Sequence, residues 1–140
     1  RGISIKKKEG DIITPKGTFK IREIFYRKDR VQNLITSLKK TVIRKNMGWC
    51  DDPKSNKYNK LIYFPFKHSA EKLYLRENIY DIILVLNFNM NPVKKNKGSA
   101  IFIHVAKKNF QPTQGCIALD KSELIKLVKS IKINTIVKII

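Results

Sequence analysis

The sequence predicts a mainly β domain with one helix near its C-terminus, and three observations carry that prediction. Two continuous apolar runs of strand length, Ile82 to Leu86 and Ile101 to Val105, suit strands buried on both faces. One stretch alone, Leu124, Leu127, Val128 and Ile131, has the spacing of an amphipathic helix. Turn formers separate the segments, and 140 residues fit a single domain, taken as 1–140. With 42% hydrophobic residues the chain can bury a core unaided by disulfides or a structural metal, which excludes disorder of the whole chain.

Taken in order, Gly10 to Thr18 is rich in turn formers and reads as a loop feeding an alternating strand, Phe19-Lys20-Ile21-Arg22. Leu61 to Phe66 is a strand interrupted by Pro65, which places it near a sheet edge. Tyr80 to Asn89 and Ala100 to Val105 are the central strands, with turn chemistry at Asn89 to Pro92 and Lys97 to Ser99. Asp120-Lys121-Ser122-Glu123 is a capping-box pattern that opens a helix of about three turns. Thr135 to Ile140 closes the chain as a β-branched strand. Segments 28–60 and 67–79 read as polar and irregular, with a short helical turn after Ser69. Strands, one helix and long loops leave loops free to build a site.

The formal charge is +19, which by itself suggests a polyanion binder. Its composition argues otherwise. Lys supplies 24 of the basic residues and Arg 6, whereas bidentate recognition of phosphates and bases favours Arg. Lys, Asn and Ile together fill 56 positions, the skew of AT-rich codons. The lysines are scattered, as at Lys6 to Lys8, Lys39-Lys40, Lys94-Lys95 and Lys107-Lys108, and read as a solvated surface. No aromatic stripe or Gly-x-x-Gly clamp supports a nucleic-acid module, so no nucleic-acid partner is expected. No window reaches the roughly 18 apolar residues of a transmembrane helix. Arg1 stands where a start Met is expected, so the N-terminus is taken as truncated.

Two cysteines, Cys50 and Cys116, and two histidines, His68 and His104, are too few and too dispersed for a four-ligand zinc site; no metal is expected. The cysteines are disulfide-bonded, inert or reactive. Cys116 follows Gly115 in a turn that leads into an apolar run, and His104 ends a buried strand. Such a pair could meet across about 3 to 4 Å, the arrangement that makes a thiolate available near neutral pH. The blander reading, a satisfied structural His and a packed Cys, stays open on spacing alone.

Ile103-His104 followed by Thr113-Gln114-Gly115-Cys116-Ile117 resembles the active-site signature of the L,D-transpeptidase catalytic domain family, the YkuD-like family, in which a His precedes a Ser/Thr-x-Gly-Cys element. Thr14-Pro15-Lys16-Gly17-Thr18-Phe19 resembles that family's Thr-Pro-x-Gly-x-Phe segment. One branch is similar in Trp49-Cys50-Asp51-Asp52-Pro53, Tyr58-Asn59, Tyr80-Asp81 and Gly98-Ser99-Ala100-Ile101-Phe102. The matches run from Gly10 to Leu119, with the strand at 135–140 in the closing position.

The resemblance implies a mixed β-sandwich-like catalytic domain, monomeric, that acts on peptidoglycan stem peptides in the periplasm or cell wall without a cofactor. Cys116 would be the nucleophile that forms a thioester, and His104 the general base. Gly115 and Cys116 N–H groups are oxyanion-hole candidates, and Thr113 a candidate for holding the His104 tautomer. Trp49, Asp51, Tyr58, Asn59 and Gln114 are candidate substrate-binding residues. Asp51 and Asp52 either attract an ammonium group or make a loop turn, and Trp49 and Tyr58 either line the cleft or anchor the loop from below. Cys50 is expected to be unpaired and His68 to be a partnerless surface residue. Val105 and Ala118 stand where the family commonly has Gly and Arg, which removes a bidentate carboxylate anchor; Lys107, Lys108 and Arg76 are the nearby alternatives. Other readings are an L,D-carboxypeptidase with water as acceptor and a non-catalytic basic domain that binds the cell wall or other polyanions.

Overall fold

The computed structural model describes residues 2–6 and 8–140; Arg1 and Lys7, both named above, lie outside them. In chain order the elements are β1 (Gly2–Ser4), β2 (Ile13–Pro15), β3 (Gly17–Tyr26), β4 (Lys40–Val42), β5 (Met47–Cys50), β6 (Leu61–Tyr63), β7 (Ala70–Lys72), β8 (Ile82–Leu86), β9 (Phe102–Val105), β10 (Ile117–Leu119), α1 (Lys121–Ser130) and β11 (Ile136–Ile139). The predicted mainly β architecture with one helix is what forms.

The main sheet runs β10-β9-β8-β3-β11, and β4 adds to β3 in parallel at Ile24–Tyr26. Its middle is antiparallel, while β9 and β10 are parallel neighbours joined by residues 106–116. Because side chains alternate across a strand, the apolar run of β8 feeds two cores at once. Ile82, Leu84 and Leu86 join Ile24, Ile103, Val105 and the helix residues Leu124 and Val128 on one face. Ile83 and Val85 join Phe25, Trp49, Leu73, Tyr80 and Phe102 on the other. All five β8 side chains are fully enclosed, each worth about 1.5–3 kcal/mol of transfer free energy. That enclosure explains why β8 reads as an unbroken apolar run.

A second, three-stranded sheet, β6-β5-β7, covers the face away from the helix. β6 lies at its edge, as the proline interruption predicts. Two of its strands fall in segments read from sequence as irregular, and β7 replaces the helical turn expected after Ser69. β5 is short and contains Gly48, where a Cβ would lie 2.6 Å from the Phe64 ring. The glycine that hides the strand in the sequence is required for this close approach. β7 is Ala-Glu-Lys, without an apolar run, and its pairing comes from β5. β2, inside the predicted loop region, likewise forms a small parallel pair with β1, which lies ahead of that region.

Helix α1 begins where predicted. The Asp120 side chain accepts from Ser122 N at 3.1 Å, but Glu123 turns to Lys126 at 3.4 Å, so only half of the capping box forms. Asp81, 1% exposed, receives Arg30 and Lys121, each at 3.0 Å, and ties the start of β8 to the helix.

Candidate active site

Strand β9 alternates as β8 does. Ile103 and Val105 face the helix core, and Phe102 and His104 face the second sheet. His104 is therefore carried into an apolar wall, 4% exposed, with the Tyr80 ring edge-on at 5.5 Å and 78°. The parallel register sets Ala118 against His104 and Ile117 against Ile103. Cys116, just ahead of β10, thus comes alongside Phe102 and packs against the same core.

Gly115 has φ +98°, a conformation that L side chains rarely adopt, and a Cβ there would lie 2.8 Å from the Ile13 carbonyl oxygen. The start of the chain thereby presses directly on the turn that delivers Cys116.

Both cysteines are free thiols, Cys50 fully buried and Cys116 half-buried. The Cys116 thiol donates to the Ala100 carbonyl at 3.2 Å. Burial pushes it up to about 12, and the negative charge of Glu71 adds to the rise. His104 moves the opposite way. Burial and the positive charge of Lys107 lower its pKa, so it is neutral at pH 7, while its bond to the Val105 carbonyl opposes the shift. That bond, 2.8 Å from Nδ1, requires the ring proton on Nδ1, because a carbonyl only accepts, and leaves Nε2 as the basic nitrogen. The resting pair is a thiol and a neutral imidazole, not an ion pair.

Cys116 and His104 open on one cavity of about 320 Å³, also lined by Glu9, Asp51, Glu71, Tyr80, Ser99, Lys107, Thr113 and Gln114. Of the residues predicted for the site, Cys116, His104, Thr113, Gln114 and Asp51 come together there. Trp49, Tyr58 and Asn59 do not, being 3%, 1% and 2% exposed and lying beneath the cavity. Trp49 Nε1 donates to Asn59 Oδ1 at 3.0 Å, and Asn59 Nδ2 donates to the Phe88 and Asn89 carbonyls. The Tyr58 hydroxyl accepts from Gly98 N at 2.9 Å and donates to Glu9. These three residues hold the loops that carry the site.

Thr113 also differs from expectation. Its hydroxyl donates to the Cys116 carbonyl at 2.6 Å, and Val105 holds the His104 tautomer instead. Asp52 makes the loop turn, accepting from Lys54 N at 2.9 Å, and is also the partner of His68 Nδ1 at 3.2 Å, so His68 is not partnerless. Lys107 reaches the cavity, whereas Arg76 and Lys108 line an adjoining groove. Glu9 and Glu71 had no local sequence signal, since each is a lone carboxylate in an unremarkable polar stretch. Ser99 and Tyr80 lie within motifs that carry the family resemblance, where nothing local marks them as cavity-lining residues.

Among the described residues no group of three or more His, Cys, Asp or Glu is arranged to hold a metal ion, and no helix is long and apolar enough to cross a membrane. A comparison with family models matches residues 2–139 to YkuD, the L,D-transpeptidase catalytic domain. No curated protein and no solved structure matches the chain. A family match over nearly the whole chain, on a mostly β fold of the expected kind, means that the chain belongs to the YkuD family of L,D-transpeptidase catalytic domains.

Proposed function

We propose that this single domain is a cysteine-dependent L,D-transpeptidase that acts on peptidoglycan stem peptides in the periplasm or cell wall through a Cys116 thioester. The observation that carries the reading is the convergence of Cys116 and a neutral His104 on one cavity. The thiol leaves the Ala100 carbonyl, gives its proton to His104 Nε2, and sulfur attacks the carbonyl carbon of the donor amide. The N–H groups of Gly115 and Cys116 serve the oxyanion. The protonated His104 then gives its proton to the departing D-amino acid, leaving the thioester.

Because the thiol is held high, the proton moves as the substrate is attacked, which is general-base catalysis and not attack by a preformed thiolate. Lys107 is the one Lys or Arg among the described residues that line the cavity and serves as the carboxylate anchor that Ala118 does not provide. Gln114 and Asp51, on the cavity wall, contact the bound peptides.

The test is covalent capture. A carbapenem should add its mass to the protein, and Cys116→Ser should abolish the adduct while Cys50→Ser retains it. Absence of an adduct on the wild-type chain at neutral pH overturns the reading. Incubation with muropeptides then separates acceptors: cross-linked dimers report an amine acceptor, and trimmed monomers alone report water.

A further inference from the structure

Strand β7 places a carboxylate where a core side chain belongs. Glu71 stands opposite Trp49 in the antiparallel register, so it points to the same inner side of the second sheet. Its hydrogen-bond partner among the described residues is the Tyr80 hydroxyl, and no described cation pairs with it. A carboxylate drawn partly out of water with no cation beside it is costly, so its presence needs a reason. Glu71 opens on the same cavity as Cys116 and His104, and Tyr80, which holds it, also packs on the His104 ring.

The chemistry of an amine acceptor supplies that reason. An alkylammonium must lose two protons to become an amide nitrogen: one before its lone pair is free and one as the C–N bond forms. His104 offers a single basic nitrogen, since Nδ1 is committed to Val105. We propose that Glu71, held by Tyr80, takes the first of these protons from the acceptor ammonium, leaving His104 to take the second. The proposal rests on the thioester reading above and extends it to the acceptor half-reaction.

The step balances. Glu71 carboxylate accepts one N–H proton, giving Glu71 carboxylic acid and a free amine. The nitrogen lone pair attacks the thioester carbon while His104 Nε2 accepts the second proton. The C–S bond breaks with its electron pair on sulfur, and His104 returns its proton to give the Cys116 thiol. Glu71 then releases its proton to water, so each transfer yields one proton to solvent.

The surroundings of Glu71 suit it to the task. Burial raises its pKa, and Asp51 and Glu9 raise it further by repulsion, although the bond from Tyr80 opposes the rise. A carboxylate moved toward neutrality is a better base for an ammonium. Asp51 and Glu9 also add negative charge that draws a cation in, while Lys107, His104 and Cys116 face it from the remaining lining.

The experiment compares two nucleophiles on the acyl-enzyme formed from a donor stem peptide. A simple alkylamine is an ammonium at pH 7, free at about one part in 10³ if it titrates like Lys, whereas hydroxylamine is already uncharged. Glu71→Gln should slow transfer to the alkylamine by about 10- to 10³-fold and change hydroxylamine capture by less than about threefold. The lost transfer should return about tenfold per pH unit as the medium supplies free amine. Equal loss with both nucleophiles, loss without recovery at high pH, or no loss overturns this proposal alone. Failure of the wild-type chain to release a D-amino acid from the donor overturns the thioester reading and this proposal with it. If Glu71→Gln does not fold, Glu71→Leu removes the carboxylate and suits the apolar wall around Trp49; it should show the same selective, pH-recoverable loss, and its absence overturns the proposal equally.

Discussion

His104 Nδ1 donates to the carbonyl of Val105, the next residue along the strand, at 2.8 Å. The group that orients the imidazole is therefore backbone, and no side-chain substitution removes it. Thr113→Val should lower the rate of carbapenem acylation by about three- to tenfold, through the lost bond to the Cys116 carbonyl. It should leave the acid limb of the pH profile in place. That limb should lie below the ordinary His value of about 6.5, because burial lowers the pKa of His104. Rates measured from pH 4 to 8 for both proteins check this, and a shifted limb in the variant would assign the tautomer to Thr113 after all.

Cys116 should be a sluggish thiol at rest. With its pKa pushed up to about 12, alkylation by iodoacetamide should be slow at pH 7 and climb steadily through pH 10. Cys50, wholly enclosed, should react only in denaturant. The fold holds the Cys116 proton more tightly than the unfolded chain does, so this group's contribution to stability is full below about pH 8.5 and is lost as the pH rises toward the folded value. Alkylation rates by mass spectrometry and melting temperatures across pH 7 to 11 test both statements.

Gly115→Ala should damage fold and activity together. A Cβ at φ +98° and 2.8 Å from the Ile13 oxygen forces either the turn or β2 to move. The expected cost is about 1–3 kcal/mol in chemical denaturation, with at least a tenfold loss of acylation as Cys116 is displaced.

Asn59→Ala separates support from contact. It removes the partners of Trp49 Nε1, Ala100 N and the Phe88 and Asn89 carbonyls, while Asn59 itself is not part of the cavity lining. A loss of about 2–4 kcal/mol is expected, read from the urea midpoint. Acylation by the fraction that remains folded should stay within about threefold of wild type. A large change in substrate affinity without loss of stability would restore Asn59 to the binding surface.

Asp81→Asn should cost about 1–3 kcal/mol, because a buried carboxylate loses its charge while Arg30 and Lys121, 25% and 37% exposed, can turn to water. The loss should depend only weakly on salt, as judged by thermal unfolding at low and high ionic strength.

The two central strands and the helix were legible because each carries its own signal, an apolar run or a helical stripe that needs no partner to be recognised. The pair Cys116 and His104 was legible through its ordered motif. The strands β5 and β7 were not, because Gly48 is there for the Phe64 ring and Ala70-Glu71-Lys72 is a strand only through its pairing with β5, and neither neighbour is close in sequence. The same long-range pairing decides between the two readings of Trp49 and Tyr58, in favour of the buried anchor, and draws Asn59 inward with them. Their motif is local in sequence, but Asn59 bonds to backbone groups 29 to 41 residues away and is buried there.

Parallel neighbours cannot be joined by a tight hairpin, so the chain between β9 and β10 must travel back along the sheet before it can deliver Cys116. That return path, residues 106–116, supplies Lys107, Pro112, Thr113 and Gln114 to the cavity rim. The placement of Cys116 alongside the strand that carries His104 is fixed by strand register, while the rim belongs to a connector whose length the register does not dictate. Lengthening or shortening that connector is thus a route to a new cavity rim with His104 and the end of β10 left in place, a separation that directed evolution of this scaffold could exploit.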